Sequence, residues 1–309
     1  VSHQNASQLD LSLLSPTESS ALIRQLLFLE GELADRVQER VGGNPLFAVR
    51  LVGDWVQRGI LEPAEGGFRL KPGVTVDLPD DLHEVWFAAV EGALRGSTAK
   101  ARLTLELAAA LGLEVDKREW REVCRQEELV RPDDIAPQLT TARLMRRVVG
   151  GWAMAHGMLR ESLMRTAKEA GRWAHHNRSC AQMLRQRYKD SPAGLSGRLG
   201  QHALAAGDFA EAHLLLLTGA REAIVRSEFA EAIELLDTRI EALDELGLPE
   251  ADHHRVEGWL VRAQVLGSQG RPLESDKWSK HAEEVVKTGV LPELHAPCFH
   301  HRAKACRQR

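Results

Sequence analysis

Ala206-Gly207-Asp208-Phe209-Ala210-Glu211-Ala212 is followed twenty residues later by Arg226-Ser227-Glu228-Phe229-Ala230-Glu231-Ala232, and more loosely by Gln269-Gly270-Arg271-Pro272-Leu273-Glu274-Ser275. Two near-identical turn heptads at one spacing are the mark of a repeat. Working outward, helices are expected to start near Leu195, Asp208, Glu228, Ala251, Pro272 and Glu293. That is roughly one helix per 20 residues and about 40 residues per helix pair. Small residues at Ala212, Ala232 and Ala282 let neighbouring helices approach closely. Antiparallel pairs of this kind stack into a superhelix in which each pair buries its face on the next. The sequence thus predicts a helical-repeat array over residues 191–309.

Composition agrees with a mostly α fold. Hydrophobic residues make up 43% and charged residues 27% of the 309-residue, 34.3 kDa chain, which indicates a folded protein of two or three domains. Aromatics are only 5% with one Tyr, a usage that favours helices over strands. A net charge of -4 excludes a globally basic nucleic-acid binder. Four scattered cysteines (Cys124, Cys180, Cys298, Cys306) do not make a disulfide scaffold, so a reducing, cytoplasmic setting is expected. No apolar run approaches the length of a membrane span, and no signal peptide opens the chain. The first residue is Val1, without an initiator Met, so the expectation is a piece of a longer protein.

Residues 1–78 are punctuated as helices plus a hairpin. Ser15-Pro16-Thr17-Glu18 reads as a capping box, with Leu22, Leu26 and Leu29 at helical spacing behind it. A second helix with Leu33 and Val37 stops at Gly42-Gly43, and Asn44-Pro45 starts a third that carries Phe47, Leu51 and Trp55. Ile60-Leu61-Glu62 and Phe68-Arg69-Leu70 around Gly66-Gly67 read as a hairpin, and Pro72, Gly73 and Pro79 as a linker. Over 79–190 three helices (Leu82–Leu94, Leu103–Leu113, Glu119–Glu127) precede a two-stranded wing, Val148-Val149 and Trp152-Ala153-Met154 about Gly150-Gly151. Three helices and a small hairpin describe a winged helix. Helices from Met158 and Arg172 follow.

Catalytic machinery is missing. No G-x-x-x-x-G-K-[ST], G-x-S-x-G or H-E-x-x-H occurs, so no catalytic residue and no cofactor is assigned to this chain by itself. Cys298, His300, His301 and Cys306 fit no standard zinc spacing, so no metal is assigned. From Arg143 to Lys189 basic residues outnumber acids, which leaves contact with DNA phosphates as an alternative use of the winged helix.

Gly43-Asn44-Pro45-Leu46-Phe47-Ala48, at a helix start after a small helical segment, resembles the G-x-P element of signal-transducing STAND NTPases. That class includes NB-ARC and NACHT proteins and the LuxR-type maltose regulators. The resemblance implies that Asn44 and Pro45 belong to a nucleotide site, with Pro45 against adenine. Met154-Ala155-His156-Gly157-Met158-Leu159-Arg160-Glu161 resembles the winged-helix segment whose His meets the terminal phosphate of bound ADP, which implies that role for His156. The common family form is Met-His-Asp; here Gly157 replaces the acid. The repeats are similar to a long variant of the tetratricopeptide repeat. Leu46 to Leu61 is also similar to bacterial multidomain proteins in which a Ser/Thr kinase precedes such an ATPase. The resemblance implies a lid-like segment, a winged helix and repeats from a larger protein that takes ATP or ADP. It further implies an upstream nucleotide-binding domain and protein partners on the repeats, without a membrane. The alternatives are a DNA-binding winged-helix regulator and a peptide-binding scaffold with no nucleotide role.

Overall fold

A computed structural model describes residues 12–29, 31–57, 59–64, 67–71, 82–191 and 193–287. The fold is mostly α, with fourteen helices and five short strands among these residues. It divides into two compact units. One holds the residues up to Ser97 with Pro137–Met145 and Ala155–Ser162; the other holds Thr98–Ala136, Arg146–Met154 and the chain from Leu163.

In the first unit, α1 (Pro16–Ala21) opens on the expected capping box: Ser15 accepts from the Glu18 amide and the Glu18 carboxylate returns to Ser15 N at 2.9 Å. The chain then widens into a π-helical turn over Leu22–Leu26, so the expected regular helix through Leu29 is not formed. Leu29 instead bridges to Phe68. Helix α2 (Gly31–Val41) ends at Gly42 and Gly43, with φ of 53° and 77°. Gly43 has a second reason to lack a side chain: a Cβ there would lie 2.4 Å from the Leu14 carbonyl oxygen. Helix α3 (Pro45–Gln57) follows at once. The hairpin pairs β1 (Leu61–Ala64) with β2 (Gly67–Leu70), Leu61 opposite Leu70. Helix α4 (Leu82–Ala93) packs on α3; Val85, Trp86 and Val90 are buried on the one and Phe47, Leu51 and Trp55 on the other. The expected linker residues Pro72, Gly73 and Pro79 lie outside the described residues.

The second unit is built on α5 (Ala99–Leu111), whose residues Thr104 to Ala110 are all buried. Its buried Glu106 is held by Arg172 at 2.7 Å and 3.0 Å and by His176 at 2.9 Å. Burial pushes the Glu106 carboxyl up, and these partners outweigh it, leaving its pKa lowered. Helix α6 (Lys117–Gln126) is capped by Asp116 and buries Trp120, whose indole donates to the Thr104 carbonyl at 2.8 Å. Two further helices are divided between the units: α7 (Pro132–Thr141) belongs to the first from Pro137 on, and α8 (Gly157–Glu169) up to Ser162. The expected two-stranded wing has a third member: β3 (Glu114–Asp116) pairs antiparallel with β5 (Gly151–Met154), which lies between β3 and β4 (Met145–Val148).

After α9 (Trp173–Arg187) come α10 (Ser196–Ala205), α11 (Phe209–Val225), α12 (Phe229–Glu245), α13 (His253–Ser268) and α14 (Pro272–Val285). The expected starts are met to within two residues, except that the start near Glu293 lies outside the described residues. The heptad echo is a shared helix stop. Asp208 N donates to Ala203 O and Gly207 N to Leu204 O; Glu228 N and Ser227 N repeat the pattern on Ala223 and Ile224. Ala212, Ala232 and Ala282 are fully buried. Helices α10 and α11 meet backbone to backbone, since a Cβ on Gly219 would lie 2.5 Å from Gly197 N. Helix α12 meets α13 over a far shorter stretch than it meets α11.

Candidate functional site

Asn44 and Pro45 start α3 as the sequence indicated, by two separate means. The Asn44 Oδ1 accepts from the amides of Leu46 and Phe47 at 3.0 Å and 3.2 Å, satisfying two otherwise orphaned donors. Pro45 occupies the first helical position, where no donor is lost. Its ring is exposed beside a cavity of ≈ 520 Å³ lined by Arg50 and Val49 of α3, Trp86 of α4, Arg143 and His156. Pro45 and His156, far apart in sequence, therefore line one space. Asn44 is not among the lining residues; its carboxamide oxygen serves the cap.

Three connections bring the walls together. The Ala155 amide donates to the Leu144 carbonyl at 2.9 Å, which seats residues 155–156 beside 143–144. Ser162 Oγ lies 2.7 Å from His83 Nδ1, tying the first turns of α8 to α4. The Trp86 ring centroid is 5.6 Å from that of His156, and the Arg50 guanidinium lies 4.5 Å from the Trp86 ring centre on its face. Arg143 sits one residue past the last turn of α7 with φ of 54°, its amide on Thr140 O and the next amide, Leu144 N, on Leu139 O. That is a Schellman stop with arginine where glycine is usual.

The electrostatics are one-sided. Among the described residues no carboxylate lines the cavity, and none is paired with Arg50 or Arg143. Burial, then Arg143, lowers the pKa of Arg50; burial, then Arg50, lowers that of His156. At neutral pH His156 is therefore neutral and offers one N–H donor. The indole N–H of Trp86 is buried without an acceptor among the described residues. Pro45 and His156 were readable from motifs. Arg50 and Trp86 were not, and Arg143 was visible only as one member of a basic run.

That run is no continuous stripe. Arg172, Arg178 and Arg185 are committed to Glu106, Asp208 and Glu211, and Arg165 to Glu169. A second hollow of ≈ 510 Å³, between α9, α10 and α11, is lined by Arg178, Gln182, Arg185, His202, Asp208 and Glu211. Among the described residues, Asp252, His253 and His254 place possible metal ligands within 4.8 Å of each other. Asp252 is already the α13 cap, accepting from His254 N at 2.8 Å. The Cys298, His300, His301 and Cys306 group lies outside the described residues.

A sealed grouping also lies inside the repeats. Arg239 of α12 is 2% exposed and donates to the carbonyls of His213 at 2.9 Å and His254 at 2.7 Å. The His213 and His254 rings are 4.6 Å apart. Arg239 Nη2 and the Nδ1 atoms of both histidines are buried without partners among the described residues. Gly258 makes the room: a Cβ there would sit 2.7 Å from Arg239 Nη1.

No protein-family model matches the sequence, and no curated protein matches it. One solved structure to which the chain is similar is a Signal Transduction ATPase with Numerous Domains (STAND) protein with a tetratricopeptide repeat sensor from Pyrococcus horikoshii. The identity is 13% and the TM-score 0.36, over 96% of this chain and 45% of that one. This chain thus spans under half of that structure's length.

Proposed function

We propose that this chain is the non-catalytic, regulatory and protein-interaction part of a STAND-type signalling ATPase. In that role Pro45 covers a base, His156 donates to a phosphate oxygen, and the helical array carries partner binding. The observation that supports it is the shared cavity: the two motif residues line one space with two arginines and no carboxylate. A nucleotide held there more tightly in one state of the protein than the other shifts a conformational equilibrium without any chemistry in these residues. The hollow between α9, α10 and α11, with charges of both signs on its lining, is the surface proposed for a protein partner. The phosphate loop and any kinase belong to the parent protein in this reading, as do ATP and ADP. The chain alone is expected to hydrolyse no ATP.

The test is ADP retention in a protein that joins these residues to a P-loop half. His156→Ala removes one phosphate donor and is expected to weaken ADP by roughly ten- to a hundredfold, the worth of one charge-assisted hydrogen bond. Unchanged ADP affinity returns His156 to the role of a helix-start residue.

A further inference from the structure

Arg50 and Arg143 have a problem that the fold does not solve. They approach closely enough for Arg143 to disfavour the charged form of Arg50, and among the described residues the wall around them supplies no negative charge. Other arginines of this protein are answered from within the chain: Arg172, Arg198 and Arg178 each have a carboxylate within hydrogen-bonding distance, and Arg239 has two backbone carbonyls. Arg50 is also held from moving away. Its guanidinium lies over the Trp86 ring, and stacking engages the face of the guanidinium while leaving its N–H donors in the plane free to act. Arg143 is fixed at the backbone by the two hydrogen bonds of the α7 stop. Two arginines lining one ≈ 520 Å³ space ask for a ligand with more than one negative charge and several acceptor oxygens.

We propose that Arg50 and Arg143 are an anion clamp, and that its ligand is a diphosphate-class oxyanion. The inference rests on the reading of this cavity as a nucleotide site and adds to it the two residues that neutralise the phosphate chain. A single carboxylate from a peptide would satisfy one fork and leave the other unpaired.

The experiment is calorimetric titration of the full chain with inorganic pyrophosphate at low salt, and then with ADP in competition. Saturable binding at or below about 1 mM is expected, with a loss of tenfold or more in Arg50→Gln and in Arg143→Gln. Arg125→Gln, an exposed ion-paired residue of the second unit, should leave binding unchanged. Arg143→Gly separates binding from folding. Glycine suits the left-handed position, so the melting temperature should hold or rise while pyrophosphate binding falls. No pyrophosphate binding by the parent chain overturns the proposal, as does equal binding by both arginine variants. Binding of hexaglutamate in place of pyrophosphate overturns it too, and assigns the clamp to an acidic peptide. Pyrophosphate binding that needs both arginines and is not displaced by ADP leaves the clamp standing and removes the nucleotide reading.

Discussion

Two places in this molecule gather arginine and histidine, one open and one closed. In the first unit Arg50, Arg143 and His156 line a cavity; in the repeats Arg239 and His213 are buried between helices with His254 half-buried beside them. The residue types match and so does the direction of the pKa shifts, because burial and a neighbouring cation act on histidine alike in both. The difference lies in where the donors go. Arg239 gives two of its N–H groups to backbone carbonyls and so acts as a pin between α11, α12 and α13. Arg50 and Arg143 have no such acceptor among the described residues, and in the proposed clamp theirs go to a ligand. A cation answered by its own backbone builds structure; one left facing a cavity serves a ligand.

The comparison is broken most sharply by deletion. Arg239→Ala removes two charge-assisted hydrogen bonds and leaves a void in the array, so a loss of about 3–5 kcal/mol is expected in urea unfolding. Arg143→Gln, at an exposed position, should change stability by under about 0.5 kcal/mol. Similar costs for the two would erase the distinction.

Acid tests the closed grouping next. His213 is pushed down to about 4, by burial first and then by His254 and Arg239, with Asp252 and Glu257 opposing. The unfolded chain, with an ordinary value near 6.5, takes up its proton first. Stability from this group is therefore full above about pH 6.5 and is lost progressively as the pH falls to about 4, by roughly 3 kcal/mol in all. His213→Leu should flatten that slope while Arg239 keeps its grip, because its acceptor is the His213 carbonyl and not the ring. An unaltered acid slope in His213→Leu would mean that the ring is not the sensor.

A smaller effect is expected from Gly258→Ala, whose new methyl would press on Arg239. Overpacking at such a contact costs about 1–3 kcal/mol, and the double variant with Arg239→Met should recover most of it. Non-recovery would place the strain elsewhere in α13. A further small change has the opposite sign. Arg143→Gly relieves a left-handed arginine and should raise stability by about 0.5–1 kcal/mol, read from the midpoint of denaturation.

Sequence made the helices easy to find because their punctuation is local. Ser15 with Glu18, Asn44 with Pro45, and the paired stops at Gly207 and Ser227 each act within a few residues. Strand β3 was illegible for the opposite reason. Glu114-Val115-Asp116 has one buried residue and no alternation to read, and it is a strand because β5 offers Trp152 opposite Val115. The π-helical turn after α1 was hidden as well, since Leu22, Leu26 and Leu29 fit a regular helix equally well on paper. Within the cavity, motifs supplied Pro45 and His156. Arg50 reaches the same wall from one turn further along α3, and Trp86 comes from a different helix, so neither shares a local pattern with them.

The glycine contact between α10 and α11 bears on how the array responds to load. Where Gly219 rests on the backbone of Gly197 there is no side chain to slide over and no gap to close, so the two helices are set as one stiff plate. The seam between α12 and α13 is shorter, held by Arg239 on the His254 carbonyl and by the ion pairs Arg255–Asp244 and Arg262–Asp237. Tension drawn along the repeats would therefore gather at that seam, and the array would flex there as a joint while the plate before it turned as a whole.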